Sequence, residues 1–257
     1  MLHHILVQIN ELISSQIFKT SQTHFSLLIV SGFMLLSLIV YYLRRIHILG
    51  TLNTLLGFFP TLIHELGHAL MCSLTFGKVT DIRVMITQYG QHKNNANGYT
   101  KMIHRLWLGQ VLSVFAGYLF PSIIILFLVY ELMNQHMIIF FIIFALLMLY
   151  YLLKTRQKLV AFTVILIMFV SVINLMKVNE QNLMSVINFI VNGFLGIMLA
   201  HMIISIRVRT ILAFKEHNDT WDGAKLKHLT LIPQSVYYLL WLVCDIIILW
   251  LIFNLLR

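Results

Sequence analysis

The sequence predicts an all-α integral membrane protein, a polytopic bundle of about seven transmembrane helices with a small β-hairpin between the second and third. Three observations carry this reading. Of 257 residues, 60% are hydrophobic and 11% charged, too little polar surface for a water-soluble domain of this size. The apolar residues fall in runs long enough to cross hydrocarbon, which takes about 20 residues of helix. With 12 glycines and 3 prolines in the whole chain, such runs favour helices over the short alternating strands of a membrane barrel.

The first segment, residues 1–24, places Leu2, Ile5, Leu6, Ile9, Leu12, Ile13 and Ile17 at helical spacing, with His4, Gln8, Glu11 and Ser15 opposite. This is the pattern of an amphipathic helix lying at the inner membrane surface or packing against the bundle. Spans are then expected at 26–42, 53–76, 107–130, 137–153, 159–175, 183–206 and 236–256. The fourth and fifth are separated only by the basic stretch 154–158 and form a tight helical hairpin. No cleavable signal peptide is expected, because the first apolar run starts late and is too long for a signal core. Cys72 and Cys244 both fall in spans, which suits buried packing better than a disulfide framework.

Between the second and third spans the texture changes. Ile82, Val84 and Ile86 alternate with Arg83, Met85 and Thr87, the period of a strand. A return strand is expected after Gly98, with the polar residues 88–97 as the turn, so 80–102 reads as a small hairpin. Its exposed edge suits pairing with an extended peptide, or it is an ordinary surface hairpin.

Lys and Arg give the orientation, because cytoplasmic loops keep positive charge. With seven spans, one side carries Lys19, Lys78, Arg83, Lys93, Lys101, Arg105, Lys154, Arg156, Lys158, Arg207, Arg209, Lys215, Lys225 and Lys227. The other carries Arg44, Arg45, Lys177 and Arg257. The bias places the N-terminus in the cytoplasm and the C-terminus outside a multi-pass cell-membrane protein. The net charge of +9 is then topology plus attraction to anionic lipid, and nucleic acid is not an expected partner.

The second span contains His64-Glu65-Leu66-Gly67-His68. On a helix, residues four apart share a face, so both imidazoles can aim a nitrogen at one metal ion. Glu65, three before His68, flanks that face where it can hold a water and accept its proton. This is the chemistry of H-E-x-x-H: two zinc ligands and a general base. Ionisable residues inside an apolar span are themselves functional-site candidates. His64 lies about 18 Å from the inner end of the span at about 1.5 Å per residue. The site is thus expected between the midplane and the inner surface. G-x-S-G, G-x-G-D and G-x-x-x-x-G-K do not occur, which argues against intramembrane serine or aspartyl proteolysis and against a phosphate-binding loop.

These residues resemble the site-2 protease family of intramembrane zinc metallopeptidases, in particular its compact bacterial branch. The resemblance rests on His64-Glu65-Leu66-Gly67-His68 within a span and on Gly98-Tyr99-Thr100 before the next one. It rests also on Ala116-Gly117-Tyr118-Leu119 with Pro121, and on Asp222-Gly223-Ala224-x-Leu226 followed by Thr230 and Pro233. It implies a metallopeptidase domain over 25–257 with one Zn2+ per chain, and an aspartate, here Asp222, as the third ligand. Two histidines leave a catalytic zinc short of its usual three protein ligands, and an oxygen ligand is common. Asp219 is the nearest rival. Asp245 and His201 lie in other spans and read as contacts between helices, like Asn174, Asn188 and Asn192. The sequence Asn218-Asp219-Thr220-Trp221 departs from the small lead-in the family pattern expects.

The expected activity is hydrolysis of a peptide bond in a membrane protein or membrane-anchored peptide near the cytoplasmic side, with Glu65 as base. One alternative is a catalytically silent relative that binds or regulates a membrane partner; the retained Glu65 speaks against it. Another is a transporter accessory subunit, against which the absence of an inverted repeat speaks.

Overall fold

The apolar runs become helices, and glycine and proline decide where they break. The computed structural model describes residues 24–94, 96–175, 180–215 and 221–257. The amphipathic segment expected at 1–24 lies, apart from His24, outside the described residues, as does Asp219. Helix α1 (Leu27–Tyr42) starts at Ser26, whose hydroxyl accepts from the Ile29 N–H.

Where one span is expected at 53–76, the structure has two helices, α2 (His47–Leu56) and α3 (Phe58–Leu74), bent by 42° at the break. Gly57 is the joint. Pro60, in the first turn of α3, has no N–H to give to the preceding helix, and glycine is a poor helix former.

The hairpin forms from β1 (Lys78–Val84) and β2 (Gly98–Ile103), antiparallel, with Val84 opposite Gly98 and Lys78 opposite Ile103. A bulge between Val79 and Asp81 shifts the alternation, so Asp81 points inward. There it accepts from the Arg156 backbone N–H at 2.8 Å, fastening the hairpin to a distant turn. The connecting residues, expected to be a polar turn, contain a short helix, α4 (Gln88–Asn94). Gln88 Nε2 donates to the His47 carbonyl at 3.0 Å and the Thr54 hydroxyl donates to Gln91 at 3.2 Å, so α4 is strapped to α2.

Next come α5 (Trp107–Met133), α6 (Met137–Lys154), α7 (Lys158–Leu175), α8 (Glu180–Phe214), α9 (Asp222–Thr230) and α10 (Gln234–Leu256). Among the described residues four helices, α5, α6, α8 and α10, are long and apolar enough to cross a membrane. The bent pair α2–α3 makes a fifth if it is one span, while α1 and most of α7 are apolar but shorter. Leu28, Phe141, Phe162 and Phe253 are among many large apolar side chains left exposed, as a bundle in lipid requires and one in water does not tolerate.

Small residues let the helices touch. A Cβ on Gly196 of α8 would lie 2.4 Å from the Val30 carbonyl of α1, and one on Gly67 of α3 would lie 2.8 Å from the Ala116 carbonyl of α5. Such close backbone approach is how helices gain contact in lipid, where burial of apolar surface adds nothing. Polar groups then pin the partners. Asn192 accepts from the Ser26 N–H at 2.8 Å and donates to the His24 carbonyl at 2.9 Å, joining α8 to the start of α1. Trp241 of α10 donates to the Phe115 carbonyl of α5 at 3.0 Å.

Arg209, which the sequence-based charge comparison assigns to a loop, lies inside α8. It is buried and paired with Asp245 of α10, whose other oxygen accepts from Ser122 of α5 at 2.6 Å. Asp245 is therefore a contact between helices, as expected.

Candidate metal centre

Three elements supply the site: α3, α5 and the start of α9. The i, i+4 spacing of His64 and His68 places both rings on the face of α3 turned to α5, edge to face with centroids 4.7 Å apart. Their Nε2 atoms are 3.1 Å apart. Asp222 opens α9, and its Oδ2 lies 3.3 Å from His64 Nε2 and 3.2 Å from His68 Nε2. Among the described residues these three are the group whose donor atoms converge closely enough for one metal ion. His201 instead stands on the cavity wall, its ring against Gly57.

The fit to zinc can be tested on those distances. Bonds of about 2.0–2.1 Å at tetrahedral angles put ligand atoms about 3.3 Å apart. The observed triangle has that size. Its donors, two imidazole nitrogens and one carboxylate oxygen, are those of a catalytic zinc that keeps a fourth position open.

The surroundings orient the members of the triangle. His68 Nδ1 lies 2.8 Å from the Ser113 carbonyl; a carbonyl only accepts, so Nδ1 carries a proton and Nε2 is the nitrogen turned to Asp222. Lys225, one turn along α9, donates to Asp222 Oδ1 at 3.0 Å, leaving Oδ2 for the histidines. Burial by itself would raise the Asp222 pKa. The charge of His68, hydrogen bonds from both imidazoles and the charge of Lys225 overcome it and hold the carboxyl well below its ordinary range. Burial works against the Lys225 ammonium, but Asp222 outweighs it and raises the Lys225 pKa.

Gly117 explains how α5 can pass so close. A Cβ there would lie 2.2 Å from His68 Cε1 and 2.9 Å from His64 Cε1, so only glycine leaves room for both rings. Gly223 has a matching role on α9. The Trp221 ring folds over it, and a Cβ would meet that ring at 2.3 Å. The bulky lead-in to Asp222 is thus a cover over the D-G turn, held by a Trp221 Nε1 hydrogen bond to Gln234 at 3.2 Å.

Glu65 is buried beside the triangle. Thr100 of β2 lies with its hydroxyl 2.8 Å from Glu65 Oε2 and 3.0 Å from the Glu65 carbonyl, and Gly98 packs on the Glu65 side chain. The three residues of the triangle and Glu65 all face one cavity of about 620 Å³, whose walls include β2, α5 and α8. That is the size range of small-molecule and peptide-binding pockets.

Sequence reasoning singles out His64, Glu65, His68 and Asp222, and the structure brings all four together. Sequence reasoning misses their partners: the Ser113 carbonyl, Lys225, and the hydroxyl of Thr100, a residue of the quoted Gly98-Tyr99-Thr100 run with no role given to it. Tyr118, whose ring stands edge-on to His64 at 4.5 Å between centroids, is another, although it lies in the quoted Ala116-Gly117-Tyr118 run. Only the i, i+3 spacing of Asp222 and Lys225 carries a readable signal.

No curated protein and no solved structure matches this chain. A family model does: the one described as Peptidase M50B-like matches residues 33–252, a stretch that takes in the histidine helix, the hairpin, the glycine-bearing face of α5 and the Asp222 turn. With most of its length matched in one stretch, and in agreement with the resemblance to site-2 proteases, the chain belongs to the Peptidase M50B-like family.

Proposed function

We propose that the protein is a membrane-embedded zinc metalloendopeptidase, with one zinc per chain held by His64, His68 and Asp222, that cleaves a membrane-bound protein substrate near the cytoplasmic side. The observation that carries this is the triangle of donor atoms with edges of 3.1–3.3 Å and Glu65 buried next to it in the same cavity. Zinc, when bound, supplies Lewis acidity that brings the pKa of water toward neutrality. Glu65 takes the proton from the water that attacks the peptide carbonyl and returns it to the departing amine. Thr100 holds the Glu65 carboxylate by its Oε2 and leaves the other oxygen for that proton. Ser113 fixes the His68 tautomer, and Lys225 fixes the carboxylate of Asp222.

A transmembrane substrate helix must unwind before an amide can enter the site, because its own hydrogen bonds shield it. Strand β2 offers an edge for the unwound chain: Gly98, Tyr99 and Thr100 line the cavity, and among the described residues only β1 pairs with it. The seven-span reading adds α1 and α7 to the longer helices. Together with the positive-charge bias it supports a cytoplasmic N-terminus and an outside C-terminus.

The test is zinc content per chain of detergent-purified protein. Wild type should hold one zinc, and His68→Ala and Asp222→Ala should lose it. Glu65→Gln should keep the metal and lose all cleavage. A wild type that binds no zinc refutes the reading, and loss with Asp219→Ala but not Asp222→Ala moves the third ligand.

A further inference from the structure

The cavity has a second polar wall. Arg209 of α8 contributes to it, with a side chain only 2% exposed. Its Nη2 donates to Asp245 and its Nε to the Ser205 carbonyl at 3.3 Å. Nη1 is buried and has no hydrogen-bond partner among the described residues.

Charge pairing alone does not explain an arginine here. A lysine would neutralise Asp245 with three donors on a mobile stem, whereas the guanidinium brings five in a fixed fork, and one side of the fork is left over. Buried donors are nearly always satisfied, so an orphan one beside a cavity points to an acceptor that arrives with the occupant. Tyr118 ties this group to the metal centre: its ring centroid lies 4.5 Å from that of His64 and 4.9 Å from Arg209 Cζ.

We propose that Arg209 is a substrate-binding residue whose Nη1 donates a hydrogen bond to a backbone carbonyl oxygen of the peptide in the cavity. The inference rests on the peptidase reading above. Asp245 already matches the charge of Arg209, so a neutral acceptor suits Nη1, whereas a substrate carboxylate would set two anions against one cation in a place shielded from water. The contact distances through Tyr118, 4.5 Å and 4.9 Å, put the guanidinium carbon within about three residues' length of the His64 ring, for a chain rising about 3.3 Å per residue.

The test uses the zinc-loaded full chain in detergent and binding rather than turnover. The probes are acetohydroxamate and leucine peptides of one to three residues that carry the hydroxamate at the C-terminal end or, through a succinyl link, at the N-terminal end. Wild type should bind acetohydroxamate and show a step of about tenfold in affinity at one peptide length. That step should vanish in Arg209→Lys, which keeps the pairing with Asp245, while acetohydroxamate binds both proteins equally. On wild type alone, exchanging the responsible amide for a thioamide, a weaker acceptor that keeps its N–H, should remove the step as well, which decides the matter if Arg209→Lys does not fold. No step at any length, or an equal step in both proteins, overturns the role of Arg209 while the zinc reading stands. Failure of acetohydroxamate to bind wild type refutes the zinc reading, and this inference with it.

Discussion

Substituting Gly117 with alanine separates the metal site from the fold that carries it. The added Cβ would sit 2.2 Å from His68 Cε1, 2.3 Å from His68 Nε2 and 2.9 Å from His64 Cε1, where ordinary contact begins at 3.4 Å. The His68 ring must therefore retreat by roughly an ångström, because close-packed surroundings leave no other slack. A zinc site tolerates errors of only about 0.2 Å in its ligand distances. The displacement thus exceeds the tolerance several-fold, and zinc affinity should fall by at least about 100-fold, the upper end of what losing an outer-shell partner costs. The fold should suffer less: overpacking costs about 1–3 kcal/mol, and alanine returns about 0.5–1 kcal/mol through helix propensity. The assay is competition for zinc with a chromogenic chelator, run beside a thermal melt of the metal-free protein. Gly32→Ala is the control, since nothing lies within 4 Å of a Cβ there. If Gly117→Ala bound zinc as tightly as wild type, the reasoning from ring contact would be wrong.

Three further outcomes follow from contacts already described. Thr100→Val removes the hydroxyl facing Glu65 and should lower kcat about tenfold with zinc content unchanged, the size expected of one hydrogen bond to a charged group; a matching loss of zinc would show that Thr100 acts on the ligands instead. Asp245→Leu strands the buried Arg209 charge and should destabilise the protein by about 3–5 kcal/mol, while Asp245→Leu combined with Arg209→Met should recover most of it, as read by denaturation in detergent. Burial lowers the His104 pKa, and neither ring nitrogen has a partner among the described residues. Its folded pKa lies below its unfolded one, so its contribution is complete above about pH 6.5 and is lost as pH falls through the folded pKa. His104→Phe should therefore flatten the acid side of a Tm-against-pH profile; an unchanged profile would count against that burial.

Much of the site is legible because its chemistry is carried by side chains at fixed spacing. His64 and His68 announce themselves by the helical period, the hairpin by its alternation, and Asp222 by the D-G motif through which the chain resembles the site-2 proteases. What escapes is carried by backbone or by tertiary approach. Ser113 acts through its carbonyl, which every residue has. Gly117 matters only once α5 lies against α3. Arg209 reads as one more loop charge until α8 is seen to run on to Phe214, past the apolar run that predicted it. The break at Gly57 is written in Gly57 and Pro60, but a long hydropathy window averages it away. The short helix α4 forms in a stretch whose polarity signals a turn, because Gln88 and Gln91 find partners on α2.

The late position of Asp222 bears on the protein's own biogenesis. His64 and His68 are synthesised long before the aspartate that completes their triangle, and at about 5–20 residues per second the interval is on the order of ten seconds. Throughout that time the nascent chain offers a metal two imidazoles and no carboxylate from α9. On the proposed function, competence to cleave waits on the arrival of α9 beside α3, and a chain stalled midway in its translation stays harmless to the membrane proteins being inserted around it.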